Sequence, residues 1–244
     1  MIRKILSLFE WFSAYLLGKG YGTGTVQREF AAALALCEEK EVRLCIDVGG
    51  NKGTYTEQIV SKFPSCKVVI FEPSASNIKV LRKKFSKNSN VIIEQSALSN
   101  NVGESTLYSD SDGSGLASLT KRRLDHFNID FSTTESITQI KFEDYWKTVL
   151  NRSKIDICKI DIEGHELDCL SGFGEAIDYV DVVQFEFGGC NIDTRTFFQD
   201  FWYFFKEHKF NLYRVAPIGT LKINQYREID ESFRTTNYLA KRKI

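Results

Sequence analysis

Two kinds of hydrophobic spacing alternate along this chain. Apolar residues recur at helical intervals from Val26 to Glu39, and the next apolar run, Arg43 to Val48, is short and nearly unbroken, as in a buried strand. The alternation repeats through a helix from Thr54 to Lys62, a strand at Lys67 to Phe71, a helix from Ser76 to Phe85 and a strand at Val91 to Gln95. Such alternation predicts a doubly wound α/β sheet. A strand-like Ser105 to Tyr108 is followed by a polar stretch, Ser109 to Ser118, and a charged one, Lys121 to Thr134. Compact domains rarely carry structureless connections longer than ~12 to 15 residues, so Ser109 to Thr134 reads as a lid, with disorder as the rival reading. Order returns with Ile137 to Lys141, a helix from Phe142 to Leu150, and strands at Ile155 to Ile160 and Val180 to Phe187. The aromatic set Phe197, Phe198, Phe201, Trp202, Phe204 and Phe205 falls at helical spacing and predicts core. Asn211 to Val215 and Thr236 to Lys241 are expected to close the sheet as an antiparallel hairpin at its edge.

The amino terminus stands apart. Ile5 to Leu17 forms a helix whose Ile5, Leu6, Leu8, Phe9, Phe12, Leu16 and Leu17 cover one broad face, flanked by Trp11 and Tyr15. It lacks the small-residue cleavage pattern of a leader, carries Glu10, and is shorter than the ~20 residues a membrane span needs. The expectation is a helix packed on the main domain or on a second subunit of a homodimer, with peripheral membrane contact as the alternative. Gly18 to Gly24, with glycine at every other position, reads as a flexible break. The chain thus divides into a helical extension, 1–40, and a domain, 41–244.

Composition narrows the field of partners. The 244 residues are 43% hydrophobic and 26% charged, enough for one domain with additions. Thirty-two basic residues balance 32 acidic ones, so no global field draws the protein to nucleic acid; Arg82-Lys83-Lys84 and Lys121-Arg122-Arg123 read as solvated faces. The six cysteines lack any C-x-x-C spacing and read as buried thiols in a reducing, cytoplasmic setting.

Candidate chemistry gathers at three strand ends. In Asp47-Val48-Gly49-Gly50-Asn51-Lys52-Gly53 a strand breaks into glycines before a helix, and the next strand ends in Phe71-Glu72-Pro73. Glycines let backbone approach a ligand, and Glu72 can accept both ribose hydroxyls of a nucleoside. The spacing departs from the G-x-G-x-x-G of dinucleotide folds, and Asp47 at the mouth of the loop would repel a phosphate but attract an ammonium or sulfonium. This favours S-adenosylmethionine over NAD. At the end of the central strand, Lys159-Ile160-Asp161-Ile162-Glu163-Gly164-His165-Glu166 supplies Asp161 and Glu163, expected on one side if the strand continues, with His165. Glu163 or His165 is the candidate general base, oriented by Asp161 or by Glu186 from the following strand. Asp161, Glu163 and His165 also offer the ligand types for a divalent metal, which is not required by the reading. Glu166 is expected to be solvated, and Glu186 either orients the base or takes a buried partner such as Arg195.

These motifs, with Ser96-Ala97-Leu98-Ser99, resemble those of the FkbM-type methyltransferases across roughly residues 43 to 187. The resemblance implies a class I, Rossmann-like methyltransferase fold with a seven-stranded sheet and an antiparallel last strand. It also implies O-methylation of hydroxyls on sugars, glycans or small metabolites. Asp47, Gly49, Asn51 and Gly53 would form the methionine side of the site, Glu72 would hold ribose, Ser96 and Ala97 would lie near adenine, and Asp161-x-Glu163-Gly164 would border the methyl group. Gly50 stands where the family often has alanine. The competing readings are an NAD-dependent oxidoreductase and a non-catalytic nucleoside-binding scaffold on the same fold.

Overall fold

The computed structural model describes residues 2–22, 26–37 and 41–243. Gly24 of the glycine-rich stretch, and Glu38 and Glu39 at the end of the expected second helix, lie outside the described residues. In chain order the first elements are α1 (Ile2–Leu16), α2 (Val26–Leu36), β1 (Leu44–Val48), α3 (Thr54–Lys62), β2 (Lys67–Phe71), α4 (Ala75–Lys84) and β3 (Val91–Glu94). There follow β4 (Ala97–Leu98), β5 (Gly103–Ser109), β6 (Thr133–Ile140), α5 (Phe142–Thr148), β7 (Ile155–Ile160), α6 (Glu166–Ser171) and β8 (Val180–Phe187). The chain ends with α7 (Cys190–Thr194), α8 (Phe198–Glu207), β9 (Phe210–Ala216), β10 (Gly219–Ile223) and β11 (Thr236–Arg242).

The main sheet has eight strands in the order β10-β9-β11-β8-β7-β1-β2-β3. Strands β3, β2, β1, β7 and β8 are parallel, and β11 inserts antiparallel between β8 and β9. The expected seven strands are therefore present, with β10 added at the edge. This corrects the expected hairpin: β9 and β11 pair antiparallel, but β10 separates them in sequence and β11 is interior. Ser105 to Tyr108 and Ile137 to Lys141 belong to longer strands of a separate three-stranded sheet, β4-β6-β5.

Period-two alternation sorts the two cores. Leu44, Ile46 and Val48 of β1 join α5, α6 and α8 on one face, whereas Cys45 faces α2, α3 and α4 on the other. Phe198, Phe201 and Phe205 of α8 fill the first core, with Phe201 stacked on Phe185 at 4.9 Å between ring centres. All six cysteines are buried thiols.

The extension behaves as two unlike pieces. Helix α2 buries Glu29, Phe30 and Ala33 against the sheet, and Gln184 Nε2 of β8 donates to Glu29 at 3.2 Å. Helix α1 has no buried residue; only its C-terminal half meets the main domain, where half-buried Tyr15 packs against the second core. The described glycines between them are not a flexible break either. A Cβ on Gly18 would lie 2.4 Å from the Val215 carbonyl and one on Gly22 2.6 Å from that of Thr235, so both are needed for close packing.

Candidate functional site

The site lies where β1 and β7 end side by side and the strand order reverses, the place at which open α/β sheets bind ligands. After Val48 the chain turns through Gly49, whose φ is +75°. A Cβ there would stand 1.9 Å from the Asp161 carbonyl, so glycine lets the two strand-end loops touch. Glu72, at the end of β2, is 5% exposed. Its Oε2 accepts from the Asn51 amide at 2.7 Å, and its Oε1 accepts from the Ser74 amide at 3.0 Å and Asn77 Nδ2 at 3.3 Å. Burial raises its pKa and these donors oppose the rise.

Asp47 does not face the cavity. Strand alternation turns it to the α3 side, fully buried, where Oδ2 accepts from the Thr56 hydroxyl at 2.7 Å and Oδ1 lies 3.7 Å from Lys159 Nζ. Lys159 also donates to the Gly49 carbonyl at 3.2 Å and pairs with Asp161 at 3.3 Å. Burial lowers the ammonium's pKa, but Asp161 and Asp47 outweigh it and keep the charge. This lysine holds the two loops together, a role the sequence reading did not assign.

Strand β7 stops at Ile160, so Asp161 and Glu163 do not alternate as strand neighbours. Glu163 and Gly164 take φ of +56° and +104°. Their turn is fixed by Glu166, which is wholly buried and accepts from the Ile162 and Gly164 amides at 3.1 Å. The expectation of a solvated Glu166 is thereby corrected: its carboxylate satisfies amides that the tight turn leaves without strand partners.

The segment 109–134 is folded over this turn. Tyr108 and Ser118 form a bridge, and Ser118 Oγ donates to the Glu163 carbonyl at 2.8 Å. Thr120 and His165 Nε2 are 2.9 Å apart, and His165 Nδ1 lies 2.8 Å from Asp168. A carboxylate only accepts, so Nδ1 carries a proton, and in the neutral ring Nε2 accepts from Thr120. Arg122, expected on a solvated face, instead reaches Glu163 Oε2 at 2.5 Å, with side-chain exposures of 9% and 16%. Its Nε lies 3.6 Å from Asp193.

Burial and Asp161 push the Glu163 carboxyl up to about 8, with Arg122 pulling the other way. Glu186 is raised by burial, then by Asp161 and Glu163. No ion pair joins it to Arg195 among the described residues; ligand atoms of Glu163, Glu186 and Cys190 instead lie within 4.8 Å of one another. That trio differs from the Asp161, Glu163 and His165 set expected for a metal, because both His165 ring nitrogens are engaged.

These parts line a cleft that is partly open to solvent. Gly49, Asn51, Glu72, Ala97, Asp161, Glu163 and His165 lie in its wall, and Ser114, Gly115, Ala117, Ser118 and Leu119 contribute from the lid. Asp47, Gly50, Gly53, Ser96 and Glu186 do not line it. Gly50 is packed on Ile70, Gly53 on Leu81 and Phe85, and the buried Ser96 hydroxyl has no hydrogen-bond partner.

A mainly parallel sheet in this order, with antiparallel β11 and the cavity at its switch point, is the class I methyltransferase architecture. The chain belongs to the methyltransferase FkbM domain family, matching it over residues 47–234. It is similar to Methyltransferase 1 of Beauveria bassiana (strain ARSEF 2860), with 24% identity over 156 residues, 58% of this chain and 63% of that relative's length. Among solved structures it is similar to the precorrin-6y C5,15-methyltransferase of Geobacter metallireducens GS-15, at 8% identity and a TM-score of 0.47 over 88% of this chain and 87% of that one. It is also similar to the plantazolicin methyltransferase BpumL, solved in complex with SAH, at 10% identity and a TM-score of 0.47 over 99% of this chain and 90% of that one.

Proposed function

We propose that this chain transfers a methyl group from S-adenosylmethionine to a hydroxyl oxygen of a sugar, glycan or small metabolite. Groups along the cleft suit the cofactor by their chemistry. Glu72 is aimed by three donors and retains one lone-pair site, on Oε2, for a ribose hydroxyl. Gly49 lets the loops after β1 and β7 touch, and Asn51 and Ala97 lie in the wall of the cleft beside them. When bound, the cofactor supplies an electrophilic methyl on a sulfonium.

The observation that carries the reading is Glu163, a largely buried carboxylate in the cavity wall gripped by an arginine of the lid. A hydroxyl must lose its proton as its oxygen forms the new bond to carbon, and Glu163 takes that proton at a carboxylate oxygen. A base with a pKa near the working pH suits this task. His165 is the weaker candidate, because Thr120 occupies its accepting nitrogen. The lid covers the β7 turn and Arg122 holds the base in place, so alignment supplies much of the rate.

The test is calorimetric binding of S-adenosylhomocysteine, followed by incubation with S-adenosylmethionine and a panel of glycosides, free sugars and amines. Methylated glycosides or sugars, formed by the wild type and not by Glu163→Gln, are the expected result. Failure to bind S-adenosylhomocysteine, or methylation confined to amines, would overturn the proposal.

A further inference from the structure

Helix α1 leaves Leu6, Leu8, Phe9, Trp11 and Phe12 each more than half exposed. At 100° per residue, Ile2, Ile5, Phe9, Phe12 and Leu16 centre one face, and Arg3, Ser7, Glu10 and Ala14 occupy the opposite one. The contacts of α1 with the rest of the chain show how it is turned. Glu10 lies 3.8 Å from Arg234, and Tyr15 meets Tyr21 edge-on at 5.4 Å. Both contacts come from the polar side or its flank, so the apolar face is directed away from the domain and no other described part of the chain covers it.

Charge selects the occupant. Arg3 and Lys4 lie at one end of α1, and Glu10 is its sole acid. Beyond the other end, Lys19 binds the Ile229 carbonyl, the half-exposed Arg234 lies 3.8 Å from Glu10 and the exposed Arg227 3.7 Å from the buried Asp230. Burial and Arg214 lower the Lys19 pKa, Arg227 and Arg234 add to the fall, and Asp230 opposes it. Ile229 is itself 67% exposed. A second copy docking face to face would bring like cations together, whereas an anionic surface would neutralise them. Fifteen residues span only about 22 Å, short of the ~30 Å hydrocarbon core, and no described helix is long and apolar enough to cross.

We infer that α1 lies in the plane of an anionic lipid surface, with Phe9 and its neighbours in the acyl boundary and Arg3, Lys4, Arg227 and Arg234 against the headgroups. This anchoring is independent of the methyl-transfer reading.

The full chain should co-sediment with phosphatidylcholine vesicles containing phosphatidylglycerol, and about tenfold or more weakly with phosphatidylcholine alone. Binding should fall with added salt, fall by about tenfold or more in Arg3→Glu/Lys4→Glu, and vanish in Leu6→Glu/Phe9→Glu. Every substituted side chain is exposed, and an unchanged denaturation midpoint verifies that the fold is intact. Absence of vesicle binding, or equal binding by Leu6→Glu/Phe9→Glu, would overturn the inference. So would a concentration-dependent dimer, seen by light scattering and lost in Leu6→Glu/Phe9→Glu, without vesicle binding.

Discussion

The two ends of the cleft handle negative charge in opposite ways. Beneath the β1 and β2 loops, the acids have donors or a cation fixed by the fold: Glu72 has two amides and an asparagine, and Asp47 has Thr56 and Lys159. Around the β7 turn, Glu163 and Glu186 crowd together with Asp161 nearby, and the cation that reaches Glu163 comes from the lid. The first end is built before any ligand arrives. The second is completed by segment 109–134, so on the proposed reading binding and chemistry fall to different parts of the chain.

The severest test of that division is Glu163→Gln. Loss of a general base should lower kcat by about 10² to 10⁴-fold while S-adenosylhomocysteine affinity stays unchanged. In the wild type, kcat/KM should rise with pH and level off above about 8, the value to which burial brings Glu163. Stability should run the other way. The folded carboxyl holds a proton that the unfolded one has released between its ordinary 4.5 and about 8, so this group's contribution falls as pH rises through that window. Chemical denaturation of the wild type and Glu163→Gln across the window checks the sign.

Glu72→Ala probes the other end. Removing a charge-assisted acceptor should weaken S-adenosylhomocysteine binding by about 1.5 to 3 kcal/mol, measured by calorimetry. An effect on kcat larger than on affinity would break the division.

The legibility of the two ends from sequence follows the same line. Glu72, Gly49 and Asn51 could be found because strand ends and a glycine turn are local patterns. Asp47 was misplaced because the motif marks the residue and only strand parity tells which face it takes. Arg122 and Cys190 reach Glu163 from segments 41 and 27 positions away, with no periodicity to announce them. Glu166 looked like a solvated first-turn acid, and only the geometry of the preceding turn reveals the amides it must satisfy. For α1, the helical period disclosed an apolar face but not its orientation, which depends on single contacts at Glu10 and Tyr15.

Glu166→Ala would sharpen the comparison from below. It strands two amides in a buried turn and should cost about 1 to 3 kcal/mol of stability by denaturant titration. A fall in kcat beyond what unfolding explains would show that the turn also sets the position of Glu163.

Arg122 distinguishes a lid that only covers the site from one that tunes it. Without the guanidinium, burial and Asp161 act on Glu163 unopposed, so its pKa rises and less base is present at neutral pH. Arg122→Ala should therefore lose roughly tenfold in kcat/KM at pH 7, equivalent to ~1.4 kcal/mol, and regain much of it at higher pH. Arg122→Lys should recover part of the loss by restoring the charge without the planar fork. A uniform loss at every pH would assign Arg122 to closure alone, whereas a displaced profile with unchanged S-adenosylhomocysteine affinity would show that the lid completes the electrostatics of the acceptor end.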